Sequence, residues 1–144
     1  MNNGNNKTHP RIGDRMKDGT ILAGNSPDTG TAIYATPADA PFTYTLIEAR
    51  EYAAELNVHG HKDWRVPTKG ELNVLWENRN KGKLKRTFNE TGEYFAGWYA
   101  SSYWTSPRSY DRAAPIWAQR FSDGRYVNDG GHGLGYSSLR CVRG

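Results

Sequence analysis

Apolar and polar residues follow two different periods along this chain. Between residues 45 and 57, Leu46, Ala49, Ala53 and Leu56 recur at helical spacing while Glu48, Glu51 and Glu55 fall on the other side. This predicts a first helix from about Thr45 to Asn57, with Thr43 or Thr45 as its N-cap. Pro67-Thr68-Lys69-Gly70-Glu71 announces a second helix, because Thr68 and Glu71 have the spacing of a capping box, each side chain reaching the other's backbone N–H. Leu72, Leu75 and Trp76 then share one face to about Arg79. Upstream, Thr20 to Ala23 and Ala32 to Ala35 read as two strands of an opening hairpin around Asn25-Ser26-Pro27-Asp28-Thr29-Gly30.

From Tyr94 onward the helical period disappears, and short alternating runs at 101–105, 116–121, 125–128 and 138–142 take over, separated by Gly, Ser and Asp. Ser122-Asp123-Gly124 is a hairpin turn, with Gly where the backbone takes positive φ. In the strand before it, Trp117, Gln119 and Phe121 share one face and Ala118 and Arg120 the other, so the aromatic face is expected in the core. Two helices followed by strands give an α+β fold: two helices packed on a small, mostly antiparallel sheet with long loops.

Composition refines this picture. Apolar residues make up 36% of the 144, against 16 Gly, 9 Tyr and 5 Trp, which favours an irregular, loop-rich fold over a helical bundle. Residues 1–10 are Asn- and Gly-rich and expected to be disordered, leaving 11–144 as one domain. No segment approaches the roughly 18 apolar residues of a membrane span, and the opening MNNGNNKTHP lacks the pattern of a secretion signal. Cys141 is the sole cysteine, so no intrachain disulfide can form and a buried structural thiol is expected. The net charge of +4 is concentrated in Arg79, Lys81, Lys83, Lys85 and Arg86, which read either as a polyanion-binding patch or as a solvated loop after the helix.

Four ordered blocks carry a resemblance: 63–72 (DWRVPTKGEL), 103–106 (YWTS), Trp117 with 119–124 (QRFSDG), and 139–143 (LRCVR). Over about residues 60–143 the chain resembles the bacterial family typified by the C-terminal domain of the Legionella collagen-like adhesin. The resemblance implies a C-type-lectin-like fold used for adhesion, glycan binding or display of a variable surface. Beside it, the residues themselves assign Trp64, Trp76, Trp104, Trp117 and Phe121 to the core, and Arg65, Arg140 and Arg143 to anchoring loops by hydrogen bonds.

The last third has an unusual alphabet. Residues 1–93 contain seven Lys and seven Glu, while residues 94–144 contain neither, where proportion predicts roughly eight. Between Pro107 and Arg140 only Trp117 and Gln119 lie outside the set that an AAC or AAT codon yields when its adenines are randomised. Diversity-generating retroelements rewrite lectin-like variable proteins in this way; turn-rich β segments, however, also favour Gly, Ser, Asp, Tyr and Arg. If diversification applies, the ligand surface is drawn from Arg108, Tyr110, Asp111, Arg112, Ala118, Arg120, Arg125, Tyr126, Asn128, His132 and Tyr136, a palette suited to adaptable recognition.

Other chemistry finds less support. Calcium-lectin tripeptides are missing, His59-Gly-His61 with Asp63 reads as a loop before Trp64, and a lone cysteine in a C-terminal strand makes a poor nucleophile. No metal, cofactor, enzymatic activity or dedicated nucleic-acid binding is therefore expected. Three readings remain: a recognition module for a protein or glycan on a cell or phage surface, an adhesin module gripping polyanionic glycans through residues 79–86, and a homo-oligomeric assembly domain with exposed aromatics at its contacts.

Overall fold

The structure, a computed structural model, describes residues 9–95, 98–109, 113–128 and 135–144. The element order is β1 (Ile21–Asn25), β2 (Ala32–Ala35), α1 (Leu46–Glu55), α2 (Lys69–Asn78), a 3-10 turn (Gly82–Leu84), β3 (Tyr94–Phe95), β4 (Trp98–Tyr99), β5 (Ser102–Trp104), β6 (Trp117–Arg120), β7 (Tyr126–Asn128) and β8 (Val142–Arg143). The class is α+β. The strands divide between two antiparallel three-stranded sheets, β1-β2-β8 and β5-β6-β7, with β3 and β4 paired as a separate ribbon that the sequence reading did not anticipate.

Both helices begin where their local sequence says. Thr45 caps α1 with Glu48 reaching back, and Thr68 caps α2 with Glu71 reaching back. The opening hairpin forms with a bulge between Leu22 and Gly24. Gly24 adopts φ +139°, and a Cβ there would stand 2.6 Å from a methyl of Val74, so its bare backbone lets α2 pack against β1. No helix among the described residues is long and apolar enough to cross a membrane.

The second sheet lies between two apolar clusters. Tyr103 and Phe121 join Ile21, Ile33, Leu72, Leu75 and Phe88 in one, while Trp104 and Ala118 join Trp64, Leu46, Ala49, Leu139 and Cys141 in the other. Because both faces of β6 are covered, period-2 alternation does not separate inside from outside there. This corrects two expectations. Ala118, assigned to the ligand face, is 3% exposed in the core, and Trp117, assigned to the core, is only half-buried.

The three anchoring arginines hold distant segments. Arg65 donates to both Glu71 oxygens at 2.6 and 2.9 Å and to the carbonyl oxygen of Gly144 at 2.9 Å, joining the start of α2 to the residue after β8. Arg143 grips both oxygens of Asp63 at 2.7 and 3.0 Å. Arg140, fully buried, donates to Asp39 at 2.9 Å and to the carbonyl oxygen of Thr36 at 3.3 Å, and its guanidinium lies over Phe88. Such planar donors tie loops together without needing a continuous sheet.

Candidate functional site: a cleft at the start of the second helix

The hairpin β6-β7 turns at Ser122-Asp123-Gly124, where Gly124 takes φ +80°. Asp123 accepts the backbone N–H of Arg125 at 3.0 Å and pairs with Arg120, fixing the turn from inside. The turn sets Trp117 beside Tyr126 across the two strands, with ring centroids 6.4 Å apart and planes at 74°. Lys69, the first residue of α2, lays its ammonium over this corner, 4.0 Å from the Trp117 ring and 4.5 Å from the Tyr126 ring. The Tyr126 hydroxyl points at the Lys69 carbonyl, 3.5 Å away.

Beside the corner opens a cleft of about 400 Å³, lined by Asp28, Thr68, Lys69, Gly70, Arg108 and Trp117 with neighbouring prolines and Ala114. Its charges are arranged by Glu71, which is fully buried behind the N-cap. The Glu71 carboxylate accepts from Arg65, from Arg108 at 2.7 Å, from Ser26 at 2.7 Å and from the Thr68 N–H at 2.9 Å. Burial alone would raise its pKa, but the hydrogen bonds from Arg65, Thr68 and Ser26 and the charge of Arg65 hold it at about 2. Asp28 accepts from the Thr68 hydroxyl at 2.6 Å. The Tyr126 hydroxyl is shifted upward by burial and by the charge of Glu77.

The family model for the Lcl C-terminal domain matches residues 23–143. The chain belongs to the Lcl C-terminal domain family. No curated protein matches it significantly. The match extends the resemblance upstream through β2 and α1, so the second cluster, the whole cleft and all of the first cluster from Ala23 onward lie within the Lcl C-terminal domain.

Within this family framework the residues proposed from sequence scatter. Arg108 lines the cleft, Tyr126 packs beside the cleft residue Trp117, exposed Arg125 immediately precedes β7, and exposed Asn128 ends it. Arg120 is half-buried and paired with Asp123. Tyr136 is exposed elsewhere, next to the bridge between Tyr44 and Ser137 near the start of α1. Tyr110, Asp111, Arg112 and His132 lie outside the described residues.

Of the basic stretch, Lys81, Lys83, Lys85 and Arg86 are exposed around the 3-10 turn. Arg79 is not part of that surface: it stacks 3.4 Å from the Trp76 ring and bonds Glu90 at 3.2 Å. His61 and His59 are engaged by Asp18, through its carboxylate at 2.7 Å and its carbonyl at 3.0 Å, and pack edge-on against Trp64. Cys141 is buried, and desolvation pushes its thiol up to about 12.

Sequence reasoning missed Lys69 and the half-exposed Trp117. One signal was available for Lys69. A cation in the first turn of a helix opposes the macrodipole, so its presence there calls for a compensating contact, and the two aromatic rings supply one.

Proposed function

We propose that this chain is a non-enzymatic recognition module of C-type-lectin-like architecture, presenting its C-terminal sheet to a protein or glycan on a cell or phage surface. The observation that carries the reading is the cleft itself, which Arg108 and half-exposed Trp117 line at the start of α2, with Tyr126 beside Trp117 at its edge. Aromatic rings beside cationic and hydrogen-bonding groups are the usual anchors of recognition surfaces. The polar groups there serve structure: Arg108 is engaged by Glu71 and Asp28 by Thr68, an arrangement suited to holding a ligand rather than transforming it.

The retroelement reading belongs to this proposal. Exposed Arg108, Arg125, Tyr126, Asn128 and Tyr136 all fall in the alphabet reachable from randomised adenines, whereas fully buried Gln119 does not. A near-copy of the codons for residues 103–143, differing only at adenines and lying beside a reverse-transcriptase gene, would establish it; its absence would leave a fixed binding face.

Binding is tested by probing glycan and cell-surface protein arrays with the labelled chain in the presence of a chelator. The ligand should still be captured, and Tyr126→Ala and Trp117→Ala should weaken capture by about tenfold or more while circular dichroism stays native. Unchanged capture by both folded variants would remove the cleft from the function.

A second reading, adhesion to polyanionic glycans, is favoured by Lys81, Lys83, Lys85 and Arg86. These are exposed and make no ion pair with a carboxylate among the described residues. Steep loss of capture with added salt, together with sensitivity to charge removal at these four residues, would select it over the cleft.

A further inference from the structure

Resting on the recognition reading, we propose that the Trp117–Tyr126 corner is a receptor for an alkylammonium group, now filled in cis by Lys69 and opened when a lysine of a protein partner takes its place. Three observations lead there. The seated group is itself a cation, within 4.0 and 4.5 Å of two ring centroids set at 74°, a geometry that offers an ammonium two negative ring faces at once. The tether is unfavourable for the helix it starts, because a cation in the first turn faces the positive end of the macrodipole. Lys69 is exposed and makes no ion pair among the described residues, so swinging its side chain into water breaks no salt bridge.

The charges left behind suit a cation. Of the charged side chains lining the cleft, Arg108 is already engaged by Glu71 and lies within 3.4 Å of the Gly144 carbonyl oxygen. Asp28 remains at the cleft wall, where it accepts from the Thr68 hydroxyl at 2.6 Å. With Lys69 withdrawn, the corner presents two rings to an incoming ammonium, beside a cleft wall that carries the Asp28 carboxylate. Lysine is the favoured source because the resident group is a primary ammonium on a four-carbon stem.

The test uses the full chain, wild type and Lys69→Ala, titrated with butylammonium and with tetramethylammonium while the indole N–H and tyrosine ring signals are followed by NMR. Lys69→Ala should bind butylammonium about fivefold or more tightly than wild type, with shifts centred on the Trp117 and Tyr126 resonances. Adding Trp117→Ala should abolish the response, and Tyr126→Ala provides the same control should the tryptophan variant fail to fold. Preference for tetramethylammonium over butylammonium would move the source from lysine to a quaternary ammonium. Equal, ring-independent responses of wild type and Lys69→Ala would overturn the inference. If Lys69→Ala still captures the array ligand in that case, the recognition reading survives without it.

Discussion

Replacing Glu71 with Gln removes the charge on which the start of α2 and one wall of the cleft are built. The side chain is fully buried and collects donors from Arg65, Arg108, Ser26 and the Thr68 N–H. Its pKa of about 2, against an ordinary 4.5, corresponds to about 3 kcal/mol of stability at neutral pH. Breaking a buried pair from one side costs about 3–5 kcal/mol, because the partner charges stay behind unpaired. The two routes agree on about 3 kcal/mol, or about 10 °C in Tm for a chain of this size. The sign follows from the depressed pKa. The contribution is fully present above about pH 4.5 and is lost as pH falls toward 2. Denaturant melts of both proteins should therefore show a gap that narrows steadily on acidification. A gap below about 1 kcal/mol at neutral pH, or one that stays constant from about pH 6 to about pH 2.5, would refute the reasoning.

Two further outcomes follow from packing. A Cβ at Gly124 would meet the Trp76 ring at 2.5 Å in a left-handed backbone, whereas at Gly30, also left-handed, it would meet nothing within 4 Å. Gly124→Ala should cost about 2–4 kcal/mol and Gly30→Ala about 1 kcal/mol in the same melts; equal costs would show that φ alone, not the tryptophan, decides. Cys141, buried with its thiol at about 12, should resist a disulfide reagent at pH 8 in the native chain and react promptly once unfolded in guanidinium. Prompt reaction in the folded state would place the thiol outside the core.

Much of the fold was legible because it is decided by near neighbours. The capping boxes at Thr45/Glu48 and Thr68/Glu71, the apolar stripes behind them, the opening hairpin and the glycine at position 124 each involve residues within a few positions of one another. Their geometry is set by backbone hydrogen bonds and allowed φ, which a short window contains. The α+β class followed from the change of period near Tyr94, and the family from four blocks that fall inside the matched span.

The cleft was not legible in that way. Whether Ala118 faces a ligand or the core depends on Trp64, Trp104 and Leu139 arriving from other segments to cover that side of β6. Trp117 is left half-exposed because Lys69, far earlier in the chain, covers it in place of a core layer. Glu71 announced itself as a helix cap, but its second role, as the buried carboxylate shared by Arg65 and Arg108, exists only once residues 65 and 108 are brought to the same helix end. The sequence by itself determined the period, the caps and the turns, since those interactions are local. Tertiary structure alone decided which faces are wet and which charges meet, because burial belongs to the element packed opposite a residue and not to the residue itself.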